Sequence, residues 1–459
     1  MVSLEMQSAV SPSSASTKRT AVLDANEREH TGSYYAASQK DKAPFPTLNG
    51  RDDAQVCVIG GGFTGVATAV ELAERGYSVI LLESNRVGWG ASGRNGGQII
   101  GGYGGPLSGD PERADRMLGA GAGEMIDAMG LECVDIIRER IAKYSIDCDL
   151  QWGFLNVALK KREMKDLREY HTSLVNARYP HKLRLLTANE VNEYLGTDRY
   201  IGGLADDGWG HIQPLDLCKG EARIAERLGA RIYEQSLVTD IEFGDRVKIS
   251  TDAGVVTADT AVLCGNAYLA KFAPKLAPKL SRYILPATSY IIATEPLSDN
   301  LAKSVMPQNY AVCDQRTALD YFRLSADNRM LFGGVSNYTA KPPRSLTNLM
   351  RQKMAHVFPQ LADVRVDYHW GGYMGIGINR IPQLGQLSGN VYYSQAYGGH
   401  GVAPTHMSAR LIAEKISGEG KRFDLMAKVN HFPYPGFGFM RQSMFAAGMS
   451  FYKLRDAIT

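Results

Sequence analysis

Three glycines and a glutamate have the spacing of a phosphate-binding turn followed by a ribose-binding acid. The strand-type run QVCVI (55–59) meets GGGFTG, in which Gly60, Gly62 and Gly65 satisfy GxGxxG. A helical pattern (66–76) and the strand pattern YSVILLE follow, and the latter ends at Glu83. Gly60 would make the tight turn, Gly62 would let backbone approach a pyrophosphate, and Gly65 would let the helix pack on the strand. We therefore expect a dinucleotide with its ribose on Glu83, whose carboxylate disfavours NADP, rather than an ordinary βαβ turn.

The stretch VGWGASGRNGGQ (87–98) that follows favours FAD over NAD. A nicotinamide enzyme would usually return to a helix at this point, whereas this chain enters a long loop of Gly, Ser, Asn and Arg. Consecutive backbone N–H groups could follow the pyrophosphate, ribityl chain and isoalloxazine edge, and Arg94 and Asn95 could add side-chain donors. The alternative is a flexible Gly-rich linker, which is unusual inside a compact domain.

Three later segments agree with a flavin site. Residues 221–243 predict a helix and then a strand with Val238 near its end, and residues 259–270 predict a strand ending at Cys264-Gly265-Asn266. Residues 390–418 predict a strand, a glycine turn containing His400, and a helix. The N-terminus of that helix would stabilise the negative charge of a reduced flavin near its N1–C2=O edge.

In this order the motifs resemble the D-amino-acid oxidase (DAO) family of FAD enzymes, most closely the bacterial gamma-glutamylputrescine oxidases. The likeness rests on HTGSYYAAS (30–38), RVGWGASGRNGGQ (86–98), SYIIATEPL (289–297), DYFRLSADNRMLFGG (320–334) and YGGHGV (397–402). It implies an α/β fold with a discontinuous Rossmann-like FAD-binding domain (52–105, 205–270 and 370–425). It also implies a substrate domain with a mostly antiparallel β-sheet (106–204 and 271–369).

Together the motifs and the resemblance predict a set of residues that contact FAD. These residues are Gly60, Gly62, Phe63, Thr64, Gly65, Glu83, Ser84, Ala91, Ser92, Arg94, Asn95, Gly96, Gly97, Gln98, Val238, Cys264, Gly265, Gly399, His400, Gly401 and Val402.

The resemblance implies oxidation of an amine carbon, with hydride passing to the flavin N5, hydrolysis of the imine, and reoxidation by oxygen to give peroxide. Amino-acid-oxidising relatives clamp an α-carboxylate with an arginine where this chain has Met374, followed by an aspartate where it has Asn379. Sarcosine-oxidising relatives carry cations near the positions of Ala403 and Gly101. These departures favour an amine without an adjacent carboxylate.

Relatives with covalent FAD attach it through a cysteine where this chain has Gly372, so we expect non-covalent FAD. The expected substrate is gamma-glutamylputrescine or a related polyamine, giving an aldehyde and ammonia. Two alternatives stay open: a secondary-amine or imino-acid (pipecolate- or sarcosine-like) oxidase or dehydrogenase, and a non-catalytic FAD-binding subunit.

Four side chains are candidates for the catalytic region. His400 would lie over the flavin, Trp370 and Tyr373 would form the substrate-side wall, and His211 would line the pocket. The alternative for each is structural hydrogen bonding or core packing. No general base is required, because a neutral amine can deliver hydride without one.

Composition excludes several other classes. A net charge of +3 is too small to argue for nucleic acid or an anionic membrane, and the six cysteines form no CxxC pair that would suggest zinc or a disulfide framework. Residues 1–30 predict a disordered tail without a targeting signal, and no run is long enough to span a membrane. Residues 426–459 predict an extension with an amphipathic helix, for core or dimer contact rather than membrane attachment. We expect a cytoplasmic enzyme with a small-molecule amine substrate.

Overall fold

The computed structural model describes residues 28–316, 319–337 and 345–435, which form two β-sheets and the helices that cover them. The strands in this part of the chain are β1 (Gly50–Ile59), β2 (Val79–Leu82), β3 (Gln98–Ile99), β4 (Gln151–Ala158), β5 (Leu183–Thr187), β6 (Gly202–His211), β7 (Arg231–Tyr233), β8 (Val238–Glu242), β9 (Val247–Thr251), β10 (Gly254–Leu263), β11 (Leu285–Thr294), β12 (Ala311–Asp314), β13 (Tyr321–Leu324), β14 (Met330–Asn337), β15 (Val366–Ile376), β16 (Gln383–Ser388) and β17 (Val391–Gln395). The helices are α1 (Tyr34–Ser38), α2 (Phe63–Glu74), α3 (Pro111–Leu118), α4 (Ala122–Tyr144), α5 (Lys161–Asn176), α6 (Ala188–Val191), α7 (Pro214–Arg227), α8 (Asn266–Phe272), α9 (Pro278–Ser281), α10 (Asp299–Val305), α11 (Leu346–Val357), α12 (Val402–Ile416) and α13 (Lys421–Ala427).

The first sheet is the predicted dinucleotide-binding sheet. Its order is β16-β17-β10-β1-β2-β7, with β9 paired to β10 and β8 to β9. The strands β7, β2, β1, β10 and β17 run parallel, and helices α2, α7 and α12 pack against one another beside them. Because the carboxyl ends of parallel strands face one edge, the turns after β1, β2, β10 and β17 meet there.

The second sheet has nine strands in the order β15-β11-β14-β13-β12-β4-β6-β3, with β5 paired to β6. Its pairs are antiparallel except β4 with β12. Strands β13 and β14 form a hairpin that turns at Asn328, which has φ +59°. The α/β class with a mostly antiparallel second sheet is therefore confirmed.

Several segments differ from the predicted domain boundaries. Residues 205–211 and 370–376 fall in the predicted FAD-binding segments, yet they belong to β6 and β15 of the second sheet. Helix α4 falls in the predicted substrate segment, yet it packs against α12, because its apolar face (Ile126, Met129, Ile137) is buried in the core beside the parallel sheet.

The predicted position of Val238 near the end of a strand is wrong, because Val238 begins β8. The preceding strand, β7, ends at Tyr233. After it the Glu234 carboxylate accepts hydrogen bonds from the backbone N–H groups of other segments, and Gln235 has φ +51°. The predicted tail also ends earlier than residue 30, because the Glu29 carbonyl accepts a hydrogen bond from the Trp89 indole at 2.9 Å.

The rest of the predicted tail (1–27) and the amphipathic helix predicted at 439–458 lie outside the described residues. Among the helices that the structure describes, none is both long and apolar enough to cross a bilayer.

Candidate active site

A cavity of about 2280 Å³ lies where the carboxyl edge of the parallel sheet faces the second sheet. All but two of the predicted FAD-contacting residues line it, and the exceptions are Gly65 and Gly97. His400 and Tyr373 also line it, whereas Trp370 and His211 do not. The sequence motifs therefore converge on one cavity that has walls from both sheets.

The turn after β1 requires glycine at two positions. Gly60 has φ +110°, and a Cβ there would lie 3.0 Å from the Cys264 backbone. A Cβ on Gly65 would lie 1.8 Å from the Gly60 carbonyl oxygen, so α2 packs on β1 only without a side chain at this position. Helix α2 begins at Phe63 with Gly62 as its N-cap, and the Phe63 N–H donates to Ser92 Oγ at 2.8 Å. Gly62, Phe63 and Thr64 line the cavity, so the N-terminal dipole of α2 faces it.

Glu83 lies at the end of β2, where the sequence predicts a ribose-binding acid. Its Oε2 accepts the Gly61 N–H at 2.6 Å, and its Oε1 accepts the Asn85 N–H at 2.9 Å and the Ser84 hydroxyl at 3.0 Å. Burial raises the pKa of this carboxyl, although the hydrogen bonds from the Asn85 and Gly61 N–H groups act in the opposite direction. Oε1 already accepts two hydrogen bonds, so Oε2 keeps a further lone pair for a ribose hydroxyl.

The glycine-rich loop (87–100) is held by its own polar side chains. Arg94 Nε donates to the Trp89 carbonyl at 2.8 Å, and its guanidinium carbon lies 4.6 Å from the centre of the Trp89 ring. Asn95 Nδ2 donates to the Ser92 carbonyl at 2.8 Å, and its Oδ1 accepts the Gly97 N–H. These contacts contradict a flexible linker and show that Arg94 and Asn95 shape the loop from the cavity wall.

The turn before α12 is tied to the same loop. His400 Nε2 lies 3.0 Å from the Ile100 carbonyl, which only accepts, so this nitrogen donates. His400 is exposed to the cavity, and desolvation by the protein around it lowers its pKa, which favours a neutral ring with its proton on Nε2. Helix α12 begins at Val402 with Gly401 as its N-cap and no side-chain cap. A second helix N-terminus therefore faces the cavity.

The opposite wall comes from β15. Tyr373 lines the cavity, and its backbone N–H donates to the Tyr268 hydroxyl at 3.2 Å. Met374 follows, and its Sδ lies 3.0 Å from the position of a Cβ on Gly399. Beside the glycine turn this wall presents an aromatic ring and a thioether.

Two of the predicted catalytic candidates, Trp370 and His211, are buried in the core and do not line the cavity. Trp370 is buried, and its indole N–H donates to the Arg94 carbonyl at 3.0 Å, behind the loop. His211 is buried at the end of β6 with Nε2 3.0 Å from the Asn309 carbonyl. Burial, and then Arg323, lower the pKa of His211 to about 3. The predictions that these residues line the pocket are wrong, because both side chains satisfy backbone carbonyls in the core.

Other lining residues were not predicted from the sequence. They include Tyr268 and Phe272 of α8, Tyr321 of β13, Tyr397, and the polar group Asn156, Asp314 and Arg316. The sequence did contain a signal for Tyr268, because this residue comes three positions after the predicted Cys264-Gly265 turn, in the helix α8 that follows it. Phe272 ends the same helix, and Tyr397 opens the YGGHGV turn after β17. The remaining residues lie on or next to strands of the second sheet, whose pairing the sequence pattern does not reveal.

The lining fits FAD from end to end. Glu83 and the first turn of α2 suit the ribose and pyrophosphate, the loop offers backbone groups, and α12 directs its dipole at the far end.

Comparisons with known proteins agree with this fit. The model of the family "FAD dependent oxidoreductase" (DAO) matches residues 55–415. The chain is 43% identical to the gamma-glutamylputrescine oxidoreductase of Escherichia coli (strain K12), over 94% of this chain and 99% of that protein. It is 39% identical to the probable oxidoreductase OrdL of Haemophilus influenzae, over 94% and 98%. The crystal structure of glycine oxidase from Geobacillus kaustophilus superposes with a TM-score of 0.68 at 20% identity, over 83% of this chain and 99% of that one, and shows the shared fold.

A relative of this identity along nearly the whole chain and a family match across both sheets confirm the predicted enzyme class and cofactor: the chain belongs to the DAO family of FAD-dependent oxidoreductases.

Proposed function

We propose that this enzyme oxidises the primary amine of a gamma-glutamylated diamine, with gamma-glutamylputrescine as the substrate, to an aldehyde and ammonia. FAD, when bound, would supply the two-electron acceptor for the amine carbon, water would hydrolyse the resulting imine, and oxygen would reoxidise the flavin to give peroxide. The relative that is 43% identical carries gamma-glutamylputrescine in its name, which supports this substrate.

The observation that carries the proposal is the uncharged wall of β15. Met374 lies against Gly399 at the position where amino-acid-oxidising members of the family place a carboxylate-binding arginine. Tyr373 beside it is buried and flanked by Tyr268 and Phe272 at centroid distances of 5.9 and 6.2 Å. A thioether and aromatic rings suit the methylene chain of a diamine, and the part of β15 that lines the cavity (372–376) itself carries no cation for a substrate carboxylate.

A polar group around Arg316, also in the cavity lining, suits a zwitterionic glutamyl group. Arg316 lines the cavity, its Nη2 lies 2.5 Å from Asp320 Oδ2, and its Nε donates to Asp314 Oδ2 at 2.9 Å. Asn156 lines the cavity beside this pair and accepts a hydrogen bond from Gln315 at 3.0 Å. The group offers a cation, carboxylates and amides to the amino and carboxylate groups of a distal glutamyl end.

Non-covalent FAD is part of the proposal. Gly372 occupies the position of the attaching cysteine in covalent relatives, and a Cβ there would lie 3.2 Å from Arg94 Cβ. Cys264 and Cys313 line the cavity, and burial raises the pKa of both thiols, which disfavours the reactive thiolates. We expect acid precipitation to release all of the flavin into the supernatant.

A second candidate function, imino-acid oxidation, is favoured by Arg380. This residue is exposed, lines the cavity, and its Cδ lies 4.0 Å from the position of a Cβ on Gly398. Within the described residues its side chain has no recorded ion pair, so a carboxylate next to a reacting secondary amine could bind there.

Product analysis in air separates the two. The holoenzyme is incubated with gamma-glutamylputrescine, putrescine, sarcosine or pipecolate, and ammonia, aldehyde and peroxide are measured. Equal yields of all three from gamma-glutamylputrescine, with far higher kcat/KM than putrescine, are expected. Turnover of pipecolate or sarcosine alone would establish the second function. Formation of aldehyde without peroxide would show that an acceptor other than oxygen takes the electrons.

A further inference from the structure

A cluster of four buried charged side chains lies directly behind the cavity. It joins His406 of α12, Glu221 of α7, Arg140 of α4 and Glu71 of α2, which are at most 5% exposed. His406 Nε2 lies 3.0 Å from Glu221 Oε1, Arg140 Nη1 lies 2.8 Å from the same oxygen, and Arg140 Nη2 lies 2.6 Å from Glu71 Oε1. The four helices around the cofactor site are thus connected through one network of alternating charge.

The partners of His406 define its protonation state. Its Nδ1 lies 2.6 Å from the Val402 carbonyl, which only accepts hydrogen bonds. Its Nε2 lies 3.0 and 3.1 Å from the two carboxylate oxygens of Glu221, which also accept. A neutral imidazole donates from one nitrogen only, so both bonds form when the ring is an imidazolium.

The cations of the network are distributed unevenly between its two carboxylates. Glu71 contacts Arg140 and also the more exposed Arg75 and Arg410. Glu221 is fully buried and contacts only Arg140 and His406 among the described cations. Because a buried charge is costly without a partner, a cation on His406 would stabilise the Glu221 carboxylate.

The imidazolium lies one side-chain layer from the cofactor cavity. Its ring centroid is 5.3 Å from that of Phe63, the first residue of α2, and it bonds the carbonyl of Val402, the first residue of α12. Phe63 and Val402 both line the cavity. The charge therefore lies behind both helix N-termini that face the cavity, where little solvent screens it.

We propose that His406 is a positioning residue that Glu221 holds as an imidazolium, and that its charge adds to the dipoles of α2 and α12. The added positive potential stabilises the FAD pyrophosphate and the negative charge of the reduced flavin. His406 thereby sets cofactor affinity and reduction potential without touching the substrate. The proposal depends on the family's cofactor and not on which amine is oxidised.

His406→Gln tests the charge, because glutamine keeps a donor for Glu221 and removes the cation. We expect FAD to dissociate with about tenfold higher Kd, and the bound flavin to bind sulfite about tenfold more weakly. If the variant binds reduced FAD tenfold more weakly relative to oxidised FAD, the two-electron midpoint potential of the bound flavin falls by about 30 mV.

Glu71→Gln is the matched control. It neutralises a member of the same network eight residues further along α2, about 12 Å from Phe63. We expect it to lower the thermal midpoint as His406→Gln does, with less than a twofold change in sulfite affinity. Equal sulfite affinity and potential in wild type and His406→Gln would overturn the proposal and leave His406 a structural tie.

Nitrogen NMR reports the protonation state without a variant. Thr405–His406 is the one Thr–His pair in the sequence, so selective labelling of threonine and histidine assigns its signals in the wild-type holoenzyme. Two protonated ring nitrogens with similar shifts are expected at neutral pH. One protonated and one bare nitrogen would contradict the proposal, even if His406→Gln fails to fold.

Discussion

The carbonyl oxygen of Gly60 lies 1.8 Å from the place where a Cβ on Gly65 would be, so the turn after β1 and the first turn of α2 touch through bare backbone. Any side chain at position 65 must push α2 away from β1. Because the N-terminus of α2 faces the cofactor cavity, this close approach fixes the direction of its dipole.

Gly65→Ala is expected to abolish stable FAD binding. A methyl group cannot fit against backbone at 1.8 Å, so α2 must shift, and we expect FAD affinity to fall at least 100-fold, as measured by flavin retention on gel filtration and by fluorescence titration. Gly389→Ala is the control, since no heavy atom lies within 4 Å of its added Cβ. Full flavin content in Gly65→Ala would refute this role of the contact.

Met374→Arg tests the uncharged wall. A guanidinium beside Gly399 would repel an ammonium and cost desolvation, so kcat/KM for gamma-glutamylputrescine should fall at least tenfold. Met374→Leu keeps the volume and should stay within threefold of wild type. Steady-state peroxide formation measures both variants. Unchanged activity of Met374→Arg would show that the amine binds elsewhere.

Arg380→Gln tests whether the substrate carries a carboxylate next to its reacting amine or only at its distal end. If the substrate has no carboxylate beside the reacting amine, this variant should change kcat/KM for gamma-glutamylputrescine by less than about threefold. A residue that clamps a substrate carboxylate contributes a charge-assisted bond worth about 1.5–3 kcal/mol, or roughly 10- to 100-fold. A loss of that size would favour the imino-acid alternative.

Asp206 predicts a pH dependence of stability. Burial raises its pKa to about 6, although the Gly208 N–H and the Tyr179 hydroxyl stabilise the carboxylate. The folded state therefore binds more protons than the unfolded chain between about pH 4 and 6, and the free energy of unfolding falls as pH rises through that window.

Asp206→Asn removes the contribution of this carboxyl to the pH dependence of the free energy of unfolding. Relative to wild type, the free energy of unfolding of the variant should be higher at pH 7.5 than at pH 4.5 by about 2 kcal/mol, because the unfolded carboxyl is already mostly ionised at pH 4.5 and the shift of about two pKa units at 1.36 kcal/mol each is not fully expressed there. Urea unfolding of both proteins at the two pH values measures the difference. An equal difference at both pH values would contradict the raised pKa of Asp206.

The parallel sheet and its glycine turns could be predicted from the sequence because each feature is local. Gly60, Gly65 and Glu83 lie within one βαβ unit, and their spacing alone places them around a cofactor. The turn before α12 is equally local, since strand, glycines and helix follow one another.

The second sheet and the catalytic candidates could not be predicted in the same way. The side chain of Trp370 bonds the Arg94 carbonyl, and that of His211 bonds the Asn309 carbonyl, so both depend on pairings across long stretches of chain. The residue type of His211 suits catalysis as well as a buried structural bond, and only its surroundings decide between them. The charge of His406 depends likewise on Glu221, which comes from another helix.

Anaerobic titration of the purified holoenzyme with gamma-glutamylputrescine, followed by flavin absorbance, tests the central claim most directly. The account predicts that about one equivalent bleaches the flavin completely, that admitted oxygen restores the oxidised spectrum, and that acid then releases unmodified FAD. A flavin that stays oxidised under excess gamma-glutamylputrescine while another amine reduces it would contradict the proposed substrate. A flavin that no amine reduces would contradict amine oxidation at this cavity.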